Sequence, residues 1–227
     1  MVLLKINHVP LVQVTIFIVL VVSFQIAIAK FTLQKETKRR IQHALTGHAL
    51  VLISYVLIWE ACVVGLGIGC WGIAYLRYYQ HDLYVSLFGS LLRTHELSSR
   101  SGVLPGAFWF LFGTLCCVCV FPMPVARYAV ACLSWADPLA SWAGTSITEP
   151  RMMRIMIHPS ASLAGCSTSF LTAVLLGVAW FDLPWSTAAA GGLACSVAEA
   201  FPLWNDNFSI PLATASAVVV ANSLRSW

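Results

Sequence analysis

The sequence predicts an all-α, polytopic integral membrane bundle of about seven or eight transmembrane helices, and three observations lead there. Of the 227 residues, 59% are hydrophobic and only 10% are charged, against about 25% charged in an ordinary soluble domain. Apolar runs of about 20 residues, the length that crosses a bilayer core, recur along the whole chain, whose mean hydropathy is +0.82. No stretch carries the polar surface of a separate soluble domain, so residues 1–227 read as a single membrane domain. The eight cysteines lie mostly inside apolar segments without metal-ligand spacing, which fits small packing residues.

In chain order, the run from Val9 to Ala29 is too long for a signal-peptide core, and most of the nearby charge follows it, between Lys30 and Arg40. A retained first helix with a cytoplasmic loop after it is expected, so that 1–35 forms an N-terminal helix and basic loop. Residues 41–79 are apolar enough for two helices, with Gly65, Gly67 and Gly69 near a bend. A shorter segment follows around 83–92, and 105–121 forms a helix that Pro122 ends. The next helix carries Asp137. The polar stretch 145–159 reads as a loop, with Glu149, Arg151, Arg154 and His158. Residues 162–181, 185–201 and 208–225 supply the remaining helices. Small residues such as those at 186–192 let membrane helices approach closely.

Five polar elements interrupt this apolar background. Asp137 shares a helical face with Ala140, Ser141 and Gly144, a carboxylate above a groove of small residues. Pro138 directly after it places the carboxylate near a helix break, where freed backbone groups can line a cavity. Glu199 lies a turn before Pro202, and Asp206-Asn207 stands where the last helix begins. Helix capping explains one of these residues but not Glu199. A carboxylate at bilayer depth costs roughly 2.5–3.5 kcal/mol, and bound cations would offset that cost. Arg39, Arg40 and His43 open the second membrane helix, with the imidazole just inside the apolar run. Arg93 and Glu96 precede the segment from Gly106 to Gly113 and suit a local ion pair. The turn through Ser162 to Gly165 enters a helix, either as an ordinary N-cap or as a phosphate cradle.

Taken in order, these elements resemble the CTP-dependent lipid kinases, a family of dolichol, phytol and farnesol kinases and fungal CTP-using diacylglycerol kinases. It is related to phosphatidate cytidylyltransferase. Arg39-Arg40-x-x-His43 looks like the family's basic opening motif, and Gly106-Ala-Phe-Trp109-Phe-Leu-Phe-Gly113 is similar to its G-x-x-W/Y-x-L-x-G helix. Asp137-Pro-x-Ala140-Ser141-x-x-Gly144 looks like D-x-x-A-x-x-x-G, Ser162-Leu-Ala-Gly165 like K-S-L-A-G-S, and Glu199 through Asp206-Asn207 to Pro211 like E-x(n)-D-N-x-x-x-P. The likeness covers roughly 36–215 as a lipid-kinase-like core, and five pieces in order are specific where each alone is not. The wording around Asp137 and Glu199 is most similar to the diacylglycerol kinase branch. The cytidylyltransferase's late aspartate pair is absent.

The resemblance implies phosphoryl transfer from CTP to a membrane lipid alcohol, diacylglycerol first, with dolichol, another polyprenol or phytol as the alternative acceptors. Asp137, Asp206, Glu199 and His43 would be the catalytic residues, the three carboxylates holding Mg²⁺ or Ca²⁺. Arg39, Arg40, Arg93, Glu96, Ala140, Ser141, Gly144, Ser162, Gly165 and Asn207 would bind nucleotide and phosphate. The expected setting is the endoplasmic-reticulum membrane with the site facing the cytoplasm. The partners would be a lipid and a nucleotide and no nucleic acid, with a homo-oligomer allowed. Two departures stand out: the family lysine is Ala161, with the serine after Gly165 now Cys166, and the glycine- and arginine-containing stretch expected after Gly144 is Thr145-Ser-Ile-Thr-Glu149-Pro. Arg151, Arg154 or His158 would have to cover the lost charge, or the chain is a catalytically inactive member. An ion-coupled transporter is the alternative from another class, although no inverted repeat is visible.

Overall fold

A computed structural model describes residues 11–29, 33–89, 92, 104–146, 156–158 and 161–225. Among them run nine helices: α1 (Leu11–Ala29), α2 (Lys35–Val56), α3 (Trp59–Tyr79), α4 (His81–Phe88), α5 (Gly106–Val120), α6 (Met123–Ser146), α7 (Leu163–Ala179), α8 (Trp185–Ala200) and α9 (Asp206–Arg225). A short antiparallel ladder joins β1 (Met156–His158) to β2 (Ala161–Ser162). The fold class is all-α, and α3 and α9 are long and apolar enough to cross a membrane by length and composition. Parts of α1, α5 and α7 are apolar but shorter.

Connections of five residues fold α8 back on α7 and α9 back on α8. Arg127 near the start of α6 donates to Ser54 near the end of α2, through Nε to Oγ at 2.9 Å and through Nη2 to the carbonyl at 2.5 Å. At the other end of the same pair, Arg40 of α2 reaches Ser141 and Thr145 of α6. The two helices are therefore antiparallel. Asn207 of α9 likewise reaches Gly106 of α5. The starts of α2, α5, α7 and α9 and the ends of α6 and α8 thus gather at one end of the bundle.

The core is centred on α6, whose residues from Ala129 to Leu133 are almost wholly buried. Tyr128 is fully buried and donates to the Ala173 carbonyl of α7 at 3.0 Å. Gly177 and Gly191 let α7 and α8 close on that ring, since a Cβ there would stand 3.2 and 2.9 Å from it. This is the small-residue packing the composition suggests.

Several boundaries differ from the sequence expectation. The bend between α2 and α3 falls at 57–58, and Gly65, Gly67 and Gly69 lie inside α3. Gly65 meets Phe17 of α1 there, so close helix approach and not a turn accounts for it. Helix α2 starts at Lys35, before the apolar run, because Glu36 in its first turn pairs with Arg39 and Arg40 three and four residues on. Helix α6 continues through Pro138 without a break. The stretch 145–159 is not wholly a loop, since α6 runs to Ser146 and 156–158 pairs in the ladder. Arg93, Glu96, Glu149, Arg151 and Arg154 lie outside the described residues, as does the side chain of His158.

Two stability outcomes follow from this packing. A Cβ at Gly47 of α2 would collide with the Ser134 side chain of α6. Gly47→Val is expected to cost about 1–3 kcal/mol through overpacking, seen as a lower melting temperature of the detergent-purified protein. An unchanged melting temperature would contradict the α2–α6 packing. Ser162 caps α7, its Oγ accepting the Gly165 N–H at 3.2 Å. Ser162→Ala should lose about 1 kcal/mol of stability, again read as a thermal shift, with Ser162→Asp retaining most of it.

Candidate active site

Helix α6 brings Asp137 to the gathered end of the bundle, opposite α2. Its carboxylate lies 3.5 Å from His43 Nε2, with both side chains mostly covered, at 20% and 16% exposed. The same imidazole nitrogen is 3.0 Å from the Leu133 carbonyl, and the ring stands edge-on to Phe110 of α5. Pro138 lacks an N–H, so the hydrogen-bond ladder of α6 is one donor short here. The helix stays intact while His43 supplies a side-chain contact beside that gap, in place of the break the sequence suggests.

Two arginines frame this pair. Arg39 Nη2 is 2.7 Å from Glu36 Oε1. Arg40 Nη2 donates to the Ser141 carbonyl at 3.3 Å and to Thr145 Oγ1 at 3.2 Å. These acceptors belong to the last turns of α6, where the helix dipole is negative and a guanidinium is favoured. Glu36 was not among the expected site residues, although its spacing ahead of Arg39 and Arg40 is the signal that could have identified it.

Across α6, Ala140 and Gly144 form the seat for the start of α7. A Cβ at Gly165 would stand 3.2 Å from the Ala140 carbonyl, and one at Gly144 would stand 2.9 Å from Ser162 Oγ. Ala140, Gly144, Ser162 and Gly165 therefore do belong together. Their observed task is to bring α7 against α6, with the Ser162 hydroxyl engaged as a cap.

The other two carboxylates arrive from α8 and α9. Glu199 occupies the last turn of α8, where the dipole disfavours a negative charge. Its Oε2 is buried and has no hydrogen-bond partner among the described residues. Nothing in local structure accounts for it. The capping of α9 falls to Asn205, whose Oδ1 accepts the Asn207 N–H at 3.1 Å and whose carbonyl accepts from Phe208 and Ser209. Asp206 Oδ1 also accepts the Asn207 N–H, at 2.8 Å. Asn207 is itself buried, donates Nδ2 to the Gly106 carbonyl at 3.4 Å, and leaves Oδ1 without a partner among the described residues. Gly113 of α5 holds this turn in place, since a Cβ there would strike the Asn207 carbonyl.

These groups share one electrostatic field. Asp137 lies within coulombic reach of Asp206, Glu199 and Arg39, and Glu199 within reach of Asp206. Carboxylates from α8 and α9 are thus in electrostatic range of Asp137, with Arg39 of α2 in the same range. Among the described residues no three His, Cys, Asp or Glu side chains close into a ready-made cation shell. The donor chemistry nevertheless suits a hard divalent ion, with oxygen ligands in excess negative charge and an orphaned Glu199 oxygen. Beside this region a cleft of about 370 Å³ opens among α1 to α5, and Arg39, His43 and Asn207 line it.

No protein-family model matches the chain, and no solved structure matches it. Two curated fungal proteins are similar to it. The chain is 27% identical over 163 residues to CTP-dependent diacylglycerol kinase 1 of Eremothecium gossypii, covering 60% of this chain and 49% of that protein. It is 28% identical over 152 residues to CTP-dependent diacylglycerol kinase 1 of Schizosaccharomyces pombe, covering 59% of this chain and 66% of that one. The chain therefore spans between about half and two thirds of the length of these relatives. The likeness to CTP-dependent lipid kinases that the five motifs carry is matched by two relatives of that name.

Proposed function

We propose that the protein transfers the γ-phosphoryl group of CTP to the hydroxyl of a membrane lipid alcohol, diacylglycerol above all, giving phosphatidate and CDP. The observation that carries this reading is the contact of Asp137 with His43 where Arg39 and Arg40 open α2, with Glu199 and Asp206 within coulombic reach of Asp137. The names of the two fungal relatives support it. Phosphoryl transfer asks a protein for positioning and charge neutralisation more than for covalent chemistry. A bundle that collects rigid polar groups from four helices is suited to that.

Asp137, Glu199 and Asp206 would hold a divalent cation, Mg²⁺ or Ca²⁺, which when bound would neutralise charge on the phosphates of CTP. Arg39 and Arg40 draw the phosphate oxygens to the start of α2, Arg40 from a position fixed by Ser141 and Thr145. The lipid hydroxyl oxygen attacks the γ-phosphorus, the bond to the β-phosphate oxygen breaks, and CDP leaves. We assign the hydroxyl proton to the Asp137 carboxylate, because His43 beside it lines the cleft. The cytoplasmic face of the endoplasmic-reticulum membrane is the proposed setting, with the basic 30–40 stretch on the nucleotide side. The ladder pairs His158 with Ala161, keeping a basic residue in register with the position where the family carries lysine.

Purified protein in mixed micelles with CTP, Mg²⁺ and diacylglycerol is expected to form phosphatidate, with ATP a poor substitute. Asp137→Asn and Glu199→Gln should each lower turnover by on the order of a hundredfold or more, while the melting temperature stays near that of the parent. Full turnover by Asp137→Asn would remove that residue from the chemistry. Ion-dependent thermal shifts with no response to CTP would favour a transporter instead.

A further inference from the structure

We infer that the cleft between α1, α3 and α5 is the seat of the acceptor, and that it selects a lipid alcohol with chains one leaflet long. This rests on the kinase reading for the reaction but not for the binding. The cleft has two chemically distinct parts. Its polar members are Arg39, Gln42, His43 and Thr46 of α2, Asn207 from the first turn of α9, and Tyr84 of α4. Elsewhere it is walled by apolar side chains and by the glycine face of α3, Gly65, Gly69 and Gly72. A wholly apolar groove would suit a packing helix, whereas this one ends in hydrogen-bonding groups.

Asn207 identifies what that polar end takes. The residue is only 9% exposed, and its amide nitrogen is committed to the Gly106 carbonyl, which orients the oxygen. That oxygen is buried, without a partner among the described residues, and the residue lines the cleft. A buried acceptor of this kind is satisfied by a donor such as a hydroxyl. Asp137, the proposed proton acceptor, is in contact with His43 on the same wall. A lipid hydroxyl at Asn207 therefore stands next to the carboxylates.

Dimensions restrict the remainder of the ligand. The α3 wall runs from Gly65 to Leu76, which at 1.5 Å per residue is about 16 Å. That is close to half of a ~30 Å hydrocarbon core, the depth of an acyl chain in one leaflet and short of an extended polyprenol. Val22 of α1 and Ile68 of α3 line the cleft and are 49% and 44% exposed at the bundle surface, so a lipid can enter sideways. Gly72 keeps the passage wide, because a Cβ there would meet nothing within 4 Å. A large side chain at 72 would fill the cleft without displacing backbone. Gly67 is an internal control, equally open around its Cβ but absent from the cleft wall.

The test uses the full chain in nanodiscs with a diacylglycerol carrying a photoreactive diazirine on one acyl chain. Labelling is expected on peptides of α1 and α3, diminished by unlabelled diacylglycerol and not by a long polyprenol. Gly72→Trp and the milder Gly72→Leu should cut labelling and raise the diacylglycerol KM about tenfold or more while the CTP KM holds, and Gly67→Trp should match the parent. Asn207→Leu should raise the acceptor KM about tenfold for the lost hydrogen bond. Labelling confined to other helices, parent-like labelling of both Gly72 variants, or a second copy of the chain cross-linked into the cleft would each overturn the inference, even with phosphatidate formed normally. Cleft labelling that responds to Gly72→Trp, without any CTP-dependent product, would uphold the site and refute the kinase reading instead.

Discussion

The interaction on which the rest depends is the electrostatic coupling of Asp137 with Glu199 and Asp206 inside an apolar bundle. One carboxylate among lipid-facing helices is costly, and three sharing a field repel one another as well. Local structure relieves only part of this. Asp206 sits favourably at the start of α9, and Asp137 has His43 beside it. Glu199 has neither advantage, standing at the wrong end of α8 with a buried oxygen unpaired among the described residues. In the proposed reading, a cation held between the carboxylates would offset that cost.

Geometry makes the meeting inevitable once the helices alternate in direction. Short connections bring the end of α8 and the start of α9 together, and the α2–α6 pairing carries His43 and Arg40 to the same level. The small residues then set how tightly these pieces are held. Ala140, Gly144 and Gly165 bring α7 onto α6, and Gly113 brings α5 onto the first turn of α9. Much of what looks like a nucleotide motif is thus also the means by which the acidic helices are placed. The two roles do not compete, since the proposed phosphoryl transfer would need a rigid site.

The polar end and the apolar cleft meet at His43 and Asn207, which belong to both. The proposed water-soluble donor and lipid-soluble acceptor would approach such a junction from different phases. The Ala161 and Cys166 departures fall on the α6–α7 side, away from the cleft wall. In the proposed reaction they would bear on how phosphate is held, not on how a lipid is seated.

The sequence by itself determined the helical class, nearly every helix, and which acidic residues resist a purely structural explanation. Apolar runs and prolines are local signals, and a carboxylate in such a run stands out without any coordinates. Tertiary structure decided the rest. That α6 runs unbroken through Pro138, and that His43 meets the Leu133 carbonyl ninety residues away, are visible only in the folded chain. That Asn205 and not Asp206 caps α9, and that Gly65 packs on Phe17, are facts of contact that residue type does not encode. The cleft was illegible for the same reason, because its walls come from separate helices and its volume exists only between them. Sequence specifies what each helix carries, while packing decides which faces meet and where space is left.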